Sequence, residues 1–221
     1  METAAPYDDP DSYPGSPPVG SFTLGSGAAR GARFPVLAVG SNASPSQLIA
    51  KFGPDPRPAL PVLAARVRGL ARGFSAHVAR YGSVPATARA APDPDAVLDV
   101  HVTLLDAGQL AVMGRTEPNH RLALLQHPDG DWLLELETGE RSARCLLYRS
   151  RHGVLDLPPY ADLPPQREVR RWLATHLGIG SDVDTFRALG RRLGRDGAPS
   201  VGLTSLAPVP VVPDGLERYL L

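Results

Sequence analysis

The sequence predicts an α+β fold, namely a small mixed β-barrel, closed or nearly closed, with peripheral helices on its outside and rim. Three observations predict this architecture. Apolar, strand-like runs recur through the middle of the 221-residue chain. Two turn signals, Pro-Asp-Gly-Asp and Thr-Gly-Glu, indicate hairpins between such runs. Segments that begin at a capping residue and carry one apolar face indicate a smaller number of helices.

The predicted strands begin with residues 34–39 (FPVLAV), whose uninterrupted apolar character is typical of a buried strand. Residues 62–82 alternate in part but are broken by glycines, which predicts a long bent strand or a hairpin. Residues 96–105 alternate regularly between the two faces of a strand. Residues 121–150 hold both turn signals and therefore predict three consecutive antiparallel strands.

The predicted helices are marked by their caps. Ser44 precedes a proline and a glutamine that suit the first turn of a helix, and Gly53 ends that helix. Asp106 opens a second helix in the same way. Residues 164–178 place their apolar side chains on one stripe, and a fourth helix begins after Ser181 as its cap.

The two ends of the chain differ in composition from its middle. Residues 1–33 are rich in Pro, Gly, Ser and Asp, so we expect a disordered leader that buries too little surface to offset its ordering entropy. Residues 34–204 form the predicted barrel domain. Residues 205–221 are a Pro-rich C-terminal tail, expected to lie extended over the body with residues 219–221 (YLL) as an apolar anchor.

The composition argues against several classes of function. Basic and acidic side chains number 23 each and the pI is near 7.0, so no nucleic-acid partner is expected. No apolar run reaches the roughly 20 residues that span a bilayer, and the first residues do not resemble a secretory signal. The single cysteine, Cys145, leaves no internal disulfide and no cysteine-cluster metal site. We therefore expect a cytoplasmic protein without a membrane partner or a bound metal, and the oligomeric state stays open.

The turn after the first predicted strand is a candidate binding site. Gly40, Ser41 and Asn42 separate that strand from a capped helix, so several backbone N–H groups and the helix start face one place. Such an arrangement can hold a carboxylate or a phosphate. The alternative is a connection whose polar residues only cap and turn the chain.

Three segments in order resemble the gamma-glutamyl cyclotransferase-like family. The first is residues 39–42 (VGSN), the second is residues 82–87 (GSVPAT), and the third is residues 105–110 (LDAGQL), which lead through a helix to Glu117. The order and rough spacing agree over about residues 35–120. The family has a tyrosine where this chain has Val39, and Pro118 follows Glu117 directly. Beyond this region only the general plan of strands and helices agrees.

The resemblance implies a cofactor-free enzyme that acts on a small molecule with a gamma-glutamyl or similar amide group. In that family the α-amine attacks the side-chain carbonyl, 5-oxoproline forms and an amine leaves. Glu117 would be the general acid and base. Gly40, Ser41 and Asn42 would hold the substrate carboxylate or the oxyanion, with Val39 at the rim and Tyr160 closing the pocket.

Elementary chemistry adds expectations about Glu117. A carboxyl group that both accepts and returns a proton works best with a raised pKa, which burial against apolar walls would provide. A pairing with Arg115 or Arg121 would have the opposite effect. His120 could assist proton transfer or could be an exposed loop side chain. Two other functions remain open: a non-catalytic small-molecule-binding protein on the same fold, and a related amide-cleaving acyltransferase.

Overall fold

A computed structural model describes residues 8–29, 31–158, 162–194 and 198–221. Four α-helices are described, namely α1 (Pro45–Phe52), α2 (Ala107–Thr116), α3 (Gln166–Leu177) and α4 (Val183–Leu193). The strands are β1 (Phe22–Leu24), β2 (Phe34–Ala38), β3 (Leu60–Arg68), β4 (Leu70–Phe74), β5 (Ala86–Ala90), β6 (Val97–Leu105), β7 (His120–Gln126), β8 (Leu134–Leu136), β9 (Arg141–Ser142), β10 (Arg144–Ser150), β11 (Val154–Leu155) and β12 (Val211–Val212). Short 3-10 helices complete the chain.

The main sheet is mixed, eight-stranded and curled into a partial barrel, so the predicted α+β class with peripheral helices is confirmed. Its order is β7-β10-β2-β6-β3-β8-β9, and β1 also pairs with β3. Strands β10 and β2 run parallel, whereas the other pairs of this sheet are antiparallel. Two-stranded sheets of β4 with β5 and of β11 with β12 lie beside it.

The helices cover two separate apolar clusters. Leu48 of α1 and Met113 of α2 are fully buried against strands β2, β3 and β6 of the main sheet. Leu173 of α3 and Phe186 of α4 are fully buried with Phe74 of β4 in a second cluster. The C-terminal ends of α1, α2 and α4 meet at one cavity. Among the described helices, none combines the length and apolar character needed to cross a bilayer.

Two strand predictions need correction. The segment 62–82 is neither one bent strand nor a hairpin, because Gly69 at φ +73° sends β3 into the main sheet and β4 into a separate sheet. The three strands predicted in residues 121–150 are not paired consecutively. The Thr-Gly-Glu turn joins β8 to β9, but β7 pairs with β10. After β7 the chain crosses to β3, where the Arg68 guanidinium binds the Asp131 carboxylate at 2.5 Å.

The helix caps mostly match the sequence. Helix α2 begins with a capping box in which Asp106 and Gln109 satisfy each other's backbone N–H groups. Ser44 stands at the N-cap of α1, but its hydroxyl bonds to Ser46 instead of capping. The cap of α4 is Asp182 rather than Ser181, because its carboxylate reaches the third amide of the helix at 2.8 Å.

The predicted disordered leader is wrong for its described part. Strand β1 pairs with β3, and residues Pro10–Ser12 form a 3-10 helix. Tyr13 is only 6% exposed. A few large apolar side chains, Tyr13 above all, anchor an otherwise polar and Pro-rich segment, so its ordering entropy is offset by burial at isolated points. The boundary of the barrel domain at residue 34 stays a prediction.

The C-terminal tail lies over the body, as expected from its composition. Leu216 and Tyr219 are buried in the core of the main sheet, and Leu220 forms a bridge to Leu125. The expected anchor is therefore Tyr219 together with Leu216, whereas Leu221 is 66% exposed.

Candidate functional site

A cavity of about 240 Å³ lies where strand β2 ends and helix α2 finishes. Its size is below the roughly 300–1,000 Å³ of pockets for drug-sized molecules, which suits a small ligand. Its wall includes Tyr13, Val39, Gly40, Ser41, Asn42, Lys51, His77, Ala86, Glu117 and His120. The loop and the acidic residue that the sequence analysis selected from distant segments therefore face one space.

The loop after β2 is a crowded turn. Gly40 has φ −132° and ψ −142°, so its backbone does not lie in the left-handed region. Glycine is required here for another reason: a Cβ at this position would come within 2.7 Å of the Tyr13 hydroxyl and 3.1 Å of the Ala86 Cβ. Residues Ser41–Ala43 then form a 3-10 helix that leads into α1. The backbone of this turn consequently approaches its neighbours more closely than a side chain at position 40 would allow.

Glu117 is placed by the end of α2. It is the C-cap of that helix, and its backbone N–H donates to the Gly114 carbonyl at 3.3 Å. Its own carbonyl accepts from the backbone N–H of His120, which begins β7. A short turn between a helix and a strand thus holds Glu117, and its carboxylate is turned inward, with the side chain 14% exposed.

The Glu117 carboxylate has three polar neighbours. Oε1 accepts from Lys51 Nζ at 2.6 Å and from Asn42 Nδ2 at 2.9 Å. Lys51 Nζ also donates to Asn42 Oδ1 at 2.7 Å, so the three side chains form a closed triangle. His120 Nδ1 lies 3.0 Å from Oε2, at ion-pair distance but off the direction of a good hydrogen bond.

The expected raised pKa of Glu117 is wrong. Burial on its own would raise this pKa, but Lys51 and then His120 outweigh it and hold the pKa well below its usual range. The cation that lowers the pKa is Lys51 and not Arg115 or Arg121, which are both exposed. The Lys51 side chain is itself only 2% exposed, so the pair stays away from the screening of bulk water. Glu117 is therefore a carboxylate at neutral pH.

Histidines form a buried group next to Glu117. The ring of His77 lies 5.7 Å from that of His120 and 4.9 Å from that of His152. His77 Nδ1 is 2.6 Å from the Ser75 hydroxyl. Burial first, and then the two neighbouring imidazoles, hold the pKa of His77 well below its usual range. The wall of the cavity behind Glu117 is accordingly lined by a neutral imidazole.

The cavity also contains a phenol that the sequence analysis did not expect there. Tyr13 comes from the segment predicted to be disordered, and its hydroxyl accepts from the Ala86 backbone N–H at 2.7 Å. The backbone and side chain of Ser41 also favour the ionised phenol and lower its pKa. Burial, opposed by these interactions and assisted by the charge of Glu117, raises the pKa of Tyr13 above its usual range. The phenol therefore stays neutral.

Of the predicted site residues, Val39, Gly40, Ser41, Asn42 and Glu117 lie around the cavity, and Val39 is 7% exposed at its inner wall. Tyr160 lies outside the described residues. The roles predicted for these residues stay predictions.

Sequence reasoning missed Lys51 and Tyr13. Lys51 carried a signal, because it is the only lysine in a chain whose other cationic side chains are arginines, and it follows the Gly-Ser-Asn turn on the next helix. A lysine provides the compact point charge that a small buried triangle accommodates. Tyr13 carried no local signal, because its partners lie 28 and 73 positions away in the chain.

The site offers a carboxylate, an ammonium and imidazoles. Among the described residues, no cluster of three or more His, Cys, Asp or Glu side chains is arranged to hold a metal ion.

Comparisons with known proteins give structural neighbours only. The sequence matches no protein-family model, and no curated protein is a significant match to it. The chain is similar to a protein named gamma-glutamyl cyclotransferase, with a TM-score of 0.41, 15% identity, and coverage of 71% of this chain and 88% of that one. It is similar to a yeast gamma-glutamyl cyclotransferase described as specific to glutathione (TM-score 0.38, 15% identity, coverage 73% and 97%). An Arabidopsis thaliana protein solved in solution is a third neighbour (TM-score 0.40, 13% identity, coverage 65% and 83%).

Proposed function

We propose that the protein is a cofactor-free enzyme that releases an amine from a gamma-glutamyl amide and forms 5-oxoproline, with Glu117 as general base and acid. The observation that carries this proposal is the position of the Glu117 carboxylate. It is buried in a small cavity and faces the Gly40–Asn42 turn at hydrogen-bond distance from Asn42. A carboxylate with amide donors opposite it suits a small zwitterion such as a glutamyl group.

The reaction needs few protein groups, because nucleophile and electrophile belong to one molecule. The substrate's α-ammonium loses a proton to Glu117, and the resulting amine attacks the side-chain carbonyl carbon. The C–N bond of the lactam forms and an oxyanion develops. The bond to the leaving amine breaks as that amine takes the proton held by Glu117, and the second proton of the attacking nitrogen also passes to the released amine, which leaves as an ammonium while the lactam keeps one N–H. Intramolecular attack has a high effective molarity, so holding the substrate in the reactive conformation supplies much of the rate.

The low pKa of Glu117 makes the first proton transfer harder and the second one easier. As a carboxylate it is in the correct form to accept the first proton, although it is a weak base. Once protonated it is a strong acid, which favours delivery of the proton to the leaving amine. The amide donors of Gly40 and Ser41 would stabilise the substrate carboxylate or the oxyanion.

Glu117→Gln tests the proposal directly. We expect loss of 5-oxoproline formation by at least about 100-fold, which is the lower range for a general acid or base. The assay offers gamma-glutamyl amines and peptides and detects 5-oxoproline by mass spectrometry. Glu135→Gln is a matched control, since Glu135 is also a buried carboxylate paired with a cation, Arg141, but lies on strand β8 away from the cavity.

The Gln variant leaves Lys51 without its carboxylate, so a fold control is needed. Lys51→Met combined with Glu117→Gln removes both charges and restores neutrality to the buried site. A normal melting curve with no turnover in this double variant supports the role of Glu117. A rate near that of the wild type in either folded variant contradicts it.

The Lys51–Glu117 pair also predicts a pH effect. Glu117 has a pKa below its usual range, so the wild-type acid limb of kcat/KM should lie below the ordinary glutamate value, and activity falls as protonation begins. In Lys51→Met, burial is no longer opposed by the ammonium and the pKa rises. We expect the acid limb to move about 1–3 pH units upward. An unchanged limb would show that another group controls it.

One observation favours a second candidate, a small-molecule-binding protein without turnover. Lys51 occupies one oxygen of Glu117, as it would in a site built only to hold a charged ligand. Binding of 5-oxoproline or glutamate by calorimetry without product from any amide would support this function. Release of free glutamate instead of 5-oxoproline would indicate a related amide-cleaving acyltransferase.

A further inference from the structure

The N-terminal strap, defined here as residues 8–15, passes along the cavity and is fixed at several points. The Asp11 carboxylate accepts from the Arg170 guanidinium of α3 at 2.6 Å, and the Arg170 side chain is 3% exposed. The buried Ser83 hydroxyl donates to the Pro10 carbonyl at 3.1 Å. Because buried partners hold both Pro10 and Asp11, the strap belongs to the folded body.

The strap brings one functional group to the cavity, the Tyr13 hydroxyl. The hydroxyl accepts a hydrogen bond from the backbone N–H of Ala86 at the start of β5 at 2.7 Å, and Ser41 in the turn after β2 lowers its pKa. The same hydroxyl is the atom that a Cβ at Gly40 would meet at 2.7 Å. One phenol therefore lies against two neighbouring backbone segments of the cavity wall, since a Cβ at Gly40 would also come within 3.1 Å of the Ala86 Cβ.

We propose that Tyr13 is a positioning residue of the site: its hydroxyl clasps the turn at Gly40–Ser41 to the start of β5 at Ala86 and thereby sets the spacing of the amide donors that receive the ligand's carboxylate. The inference rests on the proposed function. It makes the N-terminal strap a part of the binding site, and it assigns a ligand-binding role to a segment outside the region of family resemblance.

The clasp acts on ground-state binding. The ligand's carboxylate meets the same amide donors before and during the reaction, so misplacing them weakens substrate and transition state equally and raises KM with little change in kcat. A strap that merely blocked the cavity would have the opposite signature, because removing the hydroxyl would then lower KM.

The experiment compares Tyr13→Phe with Tyr219→Phe. Both variants lose one buried phenol hydroxyl bonded to the backbone, since Tyr219 donates to the Gly69 carbonyl at 3.1 Å in the core of the main sheet. We expect Tyr13→Phe to raise KM about 10-fold with kcat within about twofold, the loss expected for a hydrogen bond of ordinary strength. Tyr219→Phe should leave KM unchanged. The melting temperature should fall in both variants, because each loses a buried hydrogen bond.

Amide hydrogen exchange gives a readout that needs no ligand. In Tyr13→Phe the Ala86 amide loses its acceptor and should exchange faster, whereas in Tyr219→Phe it should exchange as in the wild type. Unchanged exchange at Ala86 in Tyr13→Phe overturns the clasp. The proposal is also wrong if KM in Tyr13→Phe is unchanged or lowered, or if KM rises equally in Tyr13→Phe and Tyr219→Phe.

The two proposals fail separately. If the wild type binds 5-oxoproline but forms none from any amide, the proposed enzyme function falls, and the dissociation constant for 5-oxoproline replaces KM in the same comparison. If the wild type neither turns over nor binds these probes, the ligand-binding role of Tyr13 falls with the proposed function. If the wild type is active and Tyr13→Phe behaves like Tyr219→Phe, the clasp alone is wrong.

Discussion

The N-terminal strap and the C-terminal tail both fold back onto the protein, and each is held by one buried tyrosine. The Tyr13 hydroxyl accepts a backbone N–H at the cavity wall, whereas the Tyr219 hydroxyl donates to a backbone carbonyl inside the main-sheet core. Neither tyrosine is more than 6% exposed. The same kind of anchor is thus used once beside the candidate site and once far from it.

Each end also carries one aspartate–arginine ion pair, and these pairs differ in burial. Asp214 of the tail binds Arg149 through both carboxylate oxygens at 2.5 and 2.7 Å, and its side chain is 3% exposed. Asp11 of the strap uses one oxygen toward Arg170 and is 50% exposed. The ion pair of the tail is therefore buried in the core. In the ion pair of the strap the arginine is buried, but the aspartate is in contact with solvent.

We expect this difference in burial to give the two ends different roles, the tail in stability and the strap in ligand binding. Changes in the tail should alter the free energy of unfolding and leave ligand affinity unchanged. Changes in the strap should alter ligand affinity at a small cost in stability. Variants in the strap, in the tail and at the turn that the strap contacts test that separation.

Tyr219→Ala should be the most destabilising change. Truncating a fully buried aromatic side chain costs about 3–5 kcal/mol, because the core loses its contacts and retains a cavity. Urea unfolding measures this loss, and KM measured below the transition should equal that of the wild type. A raised KM in the still-folded variant would contradict the separation of the two ends.

Much of the fold was predictable because its signals are local. The capping box at Asp106 and the Pro and Gly around α1 mark helices within a few residues of the chain. Strand pairing depends instead on partners distant in sequence. The connection after β7 shows this, because Asp131 is drawn to Arg68 on β3 and the local Pro-Asp-Gly-Asp signal indicated a hairpin with β7.

The candidate site was predictable only where a motif identified it. Asn42 and Glu117 were selected by resemblance to a family, and they lie 2.9 Å apart. Lys51 lowers the pKa of Glu117, yet its side chain reaches the carboxylate only once α1 packs beside α2. Tyr13 lies in a stretch whose composition predicts disorder. The buried ring and the contacts of Pro10 and Asp11 hold this segment on the body, and average composition does not register such isolated anchors.

Gly40→Ala should have the second-largest effect and should depend on Tyr13. The new methyl group meets the Tyr13 hydroxyl at 2.7 Å and the Ala86 Cβ at 3.1 Å, so the turn or the strap must move. Such overpacking costs about 1–3 kcal/mol. Unfolding measured by denaturant should show this loss, together with weaker ligand binding.

Tyr13→Phe added to Gly40→Ala should recover part of that loss. The ring carbon Cζ lies 3.7 Å from the new methyl group, which is an ordinary contact once the hydroxyl is gone. The two changes should therefore be non-additive in a double-mutant cycle. Additive losses would show that the strap does not press against this turn and would weaken the comparison between the two ends.

Asp11→Asn should have the smallest effect on stability and a distinct effect on binding. Asp11 is half exposed, and the asparagine side chain keeps an oxygen that can accept from the buried Arg170, so the change should cost about 1 kcal/mol. Arg170 keeps its hydrogen bond to the Ser181 carbonyl, which limits the cost of its burial. A looser strap holds Tyr13 less firmly, so KM should rise less than in Tyr13→Phe and the Ala86 amide should exchange faster.

Asp55→Asn, which removes an exposed ion pair to Arg57 elsewhere on the surface, is the control for the change in net charge. Equal KM values in the two aspartate variants would show that the strap's hold on the cavity does not depend on its ion pair, and the burial of Pro10 and Tyr13 would then have to carry it alone.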